Sequence, residues 1–161
     1  MSTAVDIDIR TVERFVYEEA RYADEHDYDA WESLWTDDAI YWVPVDGEGT
    51  DPQRTMSIVY DNRNRISTRL KQLRTGKRYS QTPQSRLRRL ISNVEVLGTE
   101  GDDLVVGANF LLLEAREARS ELLGGRVTYH LRQEADGLRM SRKKVVLVGN
   151  DGAVPSVGYL I

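Results

Sequence analysis

The sequence contains no cysteine and only two histidines, His26 and His130. The missing cysteine excludes disulfides and every thiolate site, including Cys-ligated zinc and iron–sulfur clusters. A mononuclear iron site built from two histidines and one carboxylate would need both histidines of the chain. This chain can therefore form few of the common kinds of metal site.

Long apolar runs are also missing. No segment approaches the roughly 20 apolar residues of a membrane span. Residues 1–10 alternate acids with single apolar residues and lack the apolar core of a signal peptide. We therefore expect a cytoplasmic protein with no membrane partner. The length of 161 residues suits one domain over residues 1–161, with residues 1–8 as a loose N-terminal tail.

Charge is unevenly distributed along the chain. The first 38 residues carry twelve acids and three basic residues, whereas residues 62–94 carry ten Lys or Arg and no acid. Such segments can form solvated faces that neutralise each other, an oligomer or partner surface, or a nucleic-acid site. The net charge of −4 is too small to indicate a nucleic-acid partner. The first two interpretations are therefore favoured, and both stay open.

The hydrophobic periodicity changes from helical to strand-like along the chain. The first half predicts a helix over residues 9–25 with Asp8 as its N-cap, a short helix from Asp27 through Trp35, and a strand from Ala39 to Val45. A longer helix is predicted from Ser57 to Arg74, ended by Gly76 and followed by an extended basic connection over residues 77–86.

The second half of the chain alternates like β-structure. Four strands are predicted, at 89–97, 104–116, 122–134 and 138–148. A tight hairpin turn is expected at Ala135–Gly137, and a bend or bulge at Gly124 and Gly125. Because helices come first and strands follow, the expected class is α+β. Long antiparallel strands coil strongly, so the sheet should wrap around the helices as a cone with an internal pocket.

Several ordered segments of the chain resemble the small (β) subunit of bacterial aromatic-ring-hydroxylating dioxygenases. They are DAWESLWTDDAIYWVP at 29–44, IVYDNRNRI at 58–66, RLKQLRTG at 69–76, QTPQSRLRRLISNV at 81–94, GRVTYHLR at 125–132 and VGYLI at 157–161. Together they span nearly the whole chain. One departure is Leu138-Arg139, because the family often has an aromatic residue soon after this hairpin.

The resemblance implies the NTF2-like (cystatin-like) α+β cone, in agreement with the fold read from periodicity. It also implies a non-catalytic small subunit that trimerises and supports an α3β3 assembly in aromatic compound catabolism. In the family, the large (α) subunit holds the Rieske 2Fe–2S cluster, the mononuclear iron and the substrate. This chain should therefore carry no cofactor, and its sequence does not identify the aromatic substrate. The absence of cysteine is consistent with a Rieske cluster on the large subunit, since a Rieske centre needs both Cys and His ligands.

A second function class remains possible, because the NTF2-like fold also hosts stand-alone isomerases and dehydratases. Such an enzyme would need an acid/base pair inside the cone. The candidates are Asp38, Tyr41 and His130. However, neighbouring Asp37 and Asp38 also suit a turn between helix and strand. His130 alternates with Val127, Tyr129 and Leu131, which predicts that it points out of the pocket.

Aromatic and arginine side chains are the candidates for structural contacts. Trp31, Trp35 and Tyr41 are expected in the core, whereas Trp42 has the opposite strand parity and is expected at a subunit interface. Arginine forms bidentate pairs with carboxylates, which suits subunit contacts. The other interface candidates are Arg63, Arg65, Arg86, Arg88 and Arg89, with a solvated basic face as the alternative.

Overall fold

In the computed structural model, residues 6–45, 47, 51–75, 84–149 and 158–161 are described. The chain forms three helices and six strands in these parts. The helices are α1 (Ile9–Asp24), α2 (Tyr28–Glu32) and α3 (Arg63–Arg74). The strands are β1 (Trp35–Pro44), β2 (Ser57–Asn62), β3 (Arg86–Glu100), β4 (Asp103–Arg116), β5 (Arg119–Glu134) and β6 (Gly137–Leu147).

The strands form one mixed sheet in the order β2-β1-β6-β5-β4-β3. Only β1 and β6 run parallel, and every other neighbouring pair is antiparallel. Bulges interrupt the pairing of β1 with both of its neighbours and occur twice between β3 and β4. Bulges increase local twist, so these interruptions curve the sheet. The α+β class predicted from the sequence is confirmed.

The concave face of the sheet packs on the helices and forms the core. From the strands it buries Val106, Leu112, Tyr129, Leu131 and Val145, and from the helices Val12, Val16, Ile66 and Leu70. Residues 158–161 also lie inside the cone, where Leu160 and Ile161 are almost completely buried. The sheet, the helices and this C-terminal segment thus all contribute buried side chains to the interior of the cone.

Local signals positioned the first two helix starts correctly. The Asp8 carboxylate accepts a hydrogen bond from the main-chain N–H of Arg10 at 3.3 Å, and the Asp27 carboxylate accepts one from Ala30 N–H at 3.3 Å. Both are N-cap contacts that satisfy otherwise unpaired amides of the first turn. The predicted hairpin also forms, with Gly137 at a φ of +129°. Of the predicted tail, residues 6–8 precede α1, and residues 1–5 lie outside the described range.

Two predicted helix boundaries are wrong. The helix expected from Ser57 to Arg74 begins at Arg63, because Ser57–Asn62 pairs with β1 as an edge strand and Asn62 caps the helix. The short helix ends at Glu32, and Trp35 already belongs to β1. Pairing across the sheet therefore overrides the helical spacing of these apolar residues. Gly76 and residues 77–83 of the predicted connection lie outside the described part of the chain.

The expected bulge at Gly124 and Gly125 is absent from the β4–β5 ladder, which pairs without interruption from Arg116 to Leu104. The glycines instead permit close approach. A Cβ on Gly125 would lie 2.1 Å from the main-chain oxygen of Val146. Glycine in a strand interior marks either a bulge or a close backbone contact, and here the second applies.

Candidate functional site

The interior of the cone contains a buried ion pair between Glu19 of α1 and Lys143 of β6. Lys143 Nζ lies 2.8 Å from Glu19 Oε2, and both side chains are 1% exposed. Glu19 Oε2 also accepts a hydrogen bond from Trp31 Nε1 at 2.7 Å. The carboxylate is therefore held by two donors from two different elements, which offsets part of its desolvation cost.

The same cluster holds the C-terminal segment in place. Lys143 Nζ donates to the main-chain oxygen of Ile161 at 2.8 Å, and Tyr41 Oη donates to that oxygen at 2.9 Å. Tyr41 Oη in turn accepts from the Ile161 N–H at 3.1 Å. Arg89 Nη2 donates to the Leu160 oxygen at 2.8 Å. Three donors thus converge on the main chain of two adjacent residues.

Aromatic rings surround the ion pair. Trp31, Trp35 and Tyr41 pack edge-to-face with one another, with centroid separations of 5.3 to 5.9 Å. This geometry is favourable for aromatic pairs. All three rings are 1% exposed, so their predicted core position is confirmed. Within the described residues, Trp35 Nε1 is the one buried side-chain polar atom without a hydrogen-bond partner.

Burial changes the pKa values of three interior groups, and it moves those of the two tyrosines further from neutral pH. It raises the pKa of Tyr41 to about 12 and raises the pKa of Tyr129 well above its usual 10.0. Burial lowers the pKa of Lys143, and the Glu19 carboxylate offsets part of this effect. Both tyrosines therefore keep their protons, and Tyr41 already bonds the main chain. The interior resembles a structural polar cluster more than an acid/base pocket.

Two of the three candidate catalytic residues lie outside this interior. Asp38 lies in the β1 bulge rather than in a turn, and its carboxylate is exposed and paired with Arg132 at 3.0 Å. The hydrogen bonds from Thr36 and Arg132 lower the pKa of Asp38. His130 lies on the convex face, where burial lowers its pKa, and its Nδ1 is 3.9 Å from Glu100. Only Tyr41 faces the interior, so these three residues do not form a common site.

The interface prediction needs correction at Trp42 and Arg89. Trp42 is 2% exposed, because Tyr60 packs edge-to-face on it and Lys144 lies 4.5 Å from its ring centroid. The ring therefore offers almost no surface to a partner. Arg89 is also internal, since its Nε lies 2.7 Å from Asp24 Oδ1 and its side chain is 2% exposed.

The other arginine candidates differ in their surroundings. Arg63 is half-buried and pairs with Glu32 at 2.9 Å, which is an intrachain contact between α3 and α2. Arg65 is exposed and lies 3.4 Å from the main-chain oxygen of Tyr60. Arg86 and Arg88 are exposed on β3. Part of the acid/arginine complementarity predicted from the sequence is thus used within the chain.

Glu19 and Lys143 were missed from the sequence, although a signal for each was present. Glu19 occupies the apolar stripe of α1, four residues after Phe15 and four before Ala23. Lys143 shares strand parity with Val145 and Leu147. A charged residue on an otherwise apolar face indicates either a bulge or a buried pair. The pattern did not show which acid and which base meet.

Among the described residues, no group of three or more His, Asp or Glu residues is arranged to hold a metal ion. No helix in this part of the chain is both long and apolar enough to cross a bilayer.

The curved mixed sheet wrapped on N-terminal helices defines an NTF2-like α+β cone, and its interior is occupied by a buried polar cluster. Residues 18–151 match the family model described as the ring hydroxylating beta subunit. The chain therefore belongs to the family of ring-hydroxylating dioxygenase beta subunits.

Individual relatives agree with this family. The chain is 32% identical over 144 residues to the anthranilate 1,2-dioxygenase small subunit of Acinetobacter baylyi, covering 86% of this chain and 88% of that one. It is 27% identical over 150 residues to the 2-halobenzoate 1,2-dioxygenase small subunit of Burkholderia cepacia, covering 90% and 91%. The crystal structure of the benzoate 1,2-dioxygenase beta subunit of Burkholderia mallei superposes with a TM-score of 0.77 at 26% identity, covering 99% and 100%.

Proposed function

We propose that this chain is the non-catalytic small subunit of an aromatic-ring-hydroxylating Rieske dioxygenase and supports an α3β3 assembly. The observation that carries the proposal is the occupied interior of the cone. There, Glu19, Lys143, Tyr41 and Trp31 bond one another or the main chain of Ile161. An enzyme of this fold would instead present such groups to a substrate.

The iron chemistry is assigned to a partner large subunit. A Rieske centre needs two cysteines and two histidines, and this chain has no cysteine. The Rieske cluster, the mononuclear iron and the aromatic substrate would all lie on the large subunit. The relatives from Acinetobacter baylyi and Burkholderia cepacia are named as small subunits of dioxygenases that act on anthranilate and 2-halobenzoate. An aromatic carboxylate is accordingly the substrate class to test first.

The stand-alone isomerase or dehydratase receives no support from the site geometry. It requires an acid and a base directed into a shared cavity. Asp38 and His130 lie outside the interior, and Tyr41 keeps its proton and bonds Ile161. No observation favours this second function over the first.

Co-expression with a candidate large subunit of this dioxygenase family tests the proposal. We expect the two chains to copurify in a fixed ratio, with self-association of this chain as a homotrimer. Turnover of an aromatic carboxylate should require the large subunit, and Tyr41→Phe and His130→Gln should leave the rate per assembled complex unchanged. A rate that falls with either substitution while assembly is intact would refute the non-catalytic role. Failure to copurify would refute the assembly role.

A further inference from the structure

The convex side of the β3–β4–β5 layer carries an exposed leucine patch, formed by Leu90, Leu111, Leu113 and Leu122. Leu90 is 72% and Leu122 65% exposed, and the other two are each 47% exposed. The pairs Leu90–Leu111 and Leu113–Leu122 are direct cross-strand neighbours, so the four side chains are contiguous. Apolar patches of a few hundred Å² mark interaction sites on soluble proteins.

Arginines border the leucine patch. Arg86 and Arg88 extend from β3 on the same face, and Arg88 is the cross-strand neighbour of Leu113. Within the described part of the chain, neither arginine forms a side-chain hydrogen bond or an ion pair, and both are exposed. They line a surface depression of about 380 Å³ that His26, Leu113 and two acids, Asp24 and Glu25, also border. The Asp24 carboxylate is paired with Arg89. Two unpaired cations beside an apolar patch favour an acidic, partly apolar partner surface.

The opposite end of β3 and β4 presents an acidic, partly apolar surface of this kind. Residues 90–115 contain no Lys or Arg. The β3–β4 hairpin carries an acidic tip, formed by the exposed Glu100 and Asp102, and the exposed Glu95 lies five residues before Glu100 on β3. Val96 and Leu97 lie beside it and are 45% and 51% exposed. The Oε2 atom of Glu100 lies 3.9 Å from His130 Nδ1. Among the described residues, Glu95 and Asp102 have no ion-pair partner.

We infer that the acidic tip of one copy of this chain docks on the leucine patch and its bordering arginines in a second copy. Arg88 and Glu100 are twelve positions apart on one extended strand, which separates them by roughly 40 Å. The two surfaces of one molecule therefore cannot contact each other. Contact between unlike surfaces of identical chains is heterologous, and it forms a closed ring when the rotation between copies closes. The inference rests on the self-association in the proposed function and assigns the surface that performs it.

Charge reversal tests the pairing of the two surfaces. One variant carries Arg86→Glu and Arg88→Glu, a second carries Glu100→Arg and Asp102→Arg, and a third combines all four substitutions. Sedimentation velocity at micromolar concentration measures the association state. We expect the first two variants to associate at least tenfold more weakly than the wild type, because like charges then face each other. The combined variant should recover the wild-type oligomer.

A second pair of variants tests the apolar contact. Leu90→Lys with Leu122→Lys should dissociate the oligomer, whereas Met56→Lys should not. Met56 is the matched control, because it is 80% exposed but lies before β2, away from the patch. Arg65→Glu on α3 is the corresponding charge control. All substituted side chains are exposed, so far-UV circular dichroism should show an unchanged fold.

The outcomes separate this inference from the proposed function. Patch variants that keep the wild-type oligomer, or a combined variant that fails to recover it, would overturn the docking surface. So would patch variants that still self-associate but no longer copurify with the large subunit, since the patch would then bind that subunit. In each case the proposed function stands. A wild-type chain that neither self-associates nor binds the large subunit would overturn both.

Discussion

Removal of Lys143 provides a direct test of how the interior is held together. The substitution Lys143→Met keeps most of the side-chain volume but removes both the ion pair with Glu19 and the hydrogen bond to Ile161. Breaking a buried ion pair by deleting one partner costs about 3–5 kcal/mol, because the remaining charge is buried without compensation. We expect a decrease of that size in the free energy of unfolding.

The companion variants separate the ion pair from the packing. Glu19→Gln keeps an acceptor for Trp31 Nε1 but removes the negative charge. The double variant with Lys143→Met buries no charge, so its loss should be smaller than the sum of the two single losses by about 1–3 kcal/mol. Lys71→Met on the exposed face of α3 is the control and should change stability by less than about 0.5 kcal/mol.

Chemical denaturation at one fixed protein concentration measures all four variants, since oligomer stability depends on concentration. The Lys143→Met midpoint should decrease without a change in slope. Two results would refute the reasoning. One is a Lys143→Met loss below about 1 kcal/mol, which is the range of an exposed pair. The other is strict additivity of the single substitutions, which would show that Glu19 and Lys143 do not interact energetically.

Three further predictions concern particular contacts. Gly125→Ala should destabilise the fold strongly in thermal unfolding, because its Cβ would meet the Val146 main chain at 2.1 Å. Gly124→Ala should cost less, because the nearest atom, at 2.9 Å, belongs to the Leu111 side chain and the nearest main-chain atom lies at 3.5 Å; equal losses would contradict this. Burial lowers the pKa of His130 in the folded state, so the wild type should lose stability relative to His130→Gln as the pH falls below 6.5. Above that pH the stability of the two proteins should change in parallel, and melting curves between about pH 5 and 8 check both expectations. Asn62→Ala removes the cap of α3 and should cost about 1 kcal/mol by denaturant titration, with Asn62→Asp retaining most of the stability.

The local rules of the sequence were reliable where neighbouring residues decide the structure. Asp8 and Asp27 cap helices as predicted, because a cap depends on the side chain and the three residues that follow it. Strand parity put Tyr129 inside and His130 on the convex face, since successive side chains of a strand point to opposite sides. The family could also be predicted, because ordered motifs extend over nearly the whole chain.

Prediction was poor where a distant element competes with local preference. The segment from Ser57 to Asn62 was predicted as the start of a helix, yet it pairs with β1 and becomes an edge strand. Trp42 was expected at an interface from its parity, but Tyr60 and Lys144 cover its ring. Arg89 was expected at an interface from its charge, but Asp24 pairs with it inside the fold. Each error follows from a contact that only folding creates.

The sequence by itself determined the α+β class, the family and the absence of thiolate chemistry, because composition, periodicity and motif order are properties of the chain alone. Only the tertiary structure decided how the interior of the cone is used. Glu19 and Lys143 are 124 positions apart, and their pairing depends on the packing of α1 over the sheet that contains β6. Once that contact forms, burial makes separation of the two charges costly. Physical packing, and not the local sequence, therefore turns a potential acid/base pair into a structural one.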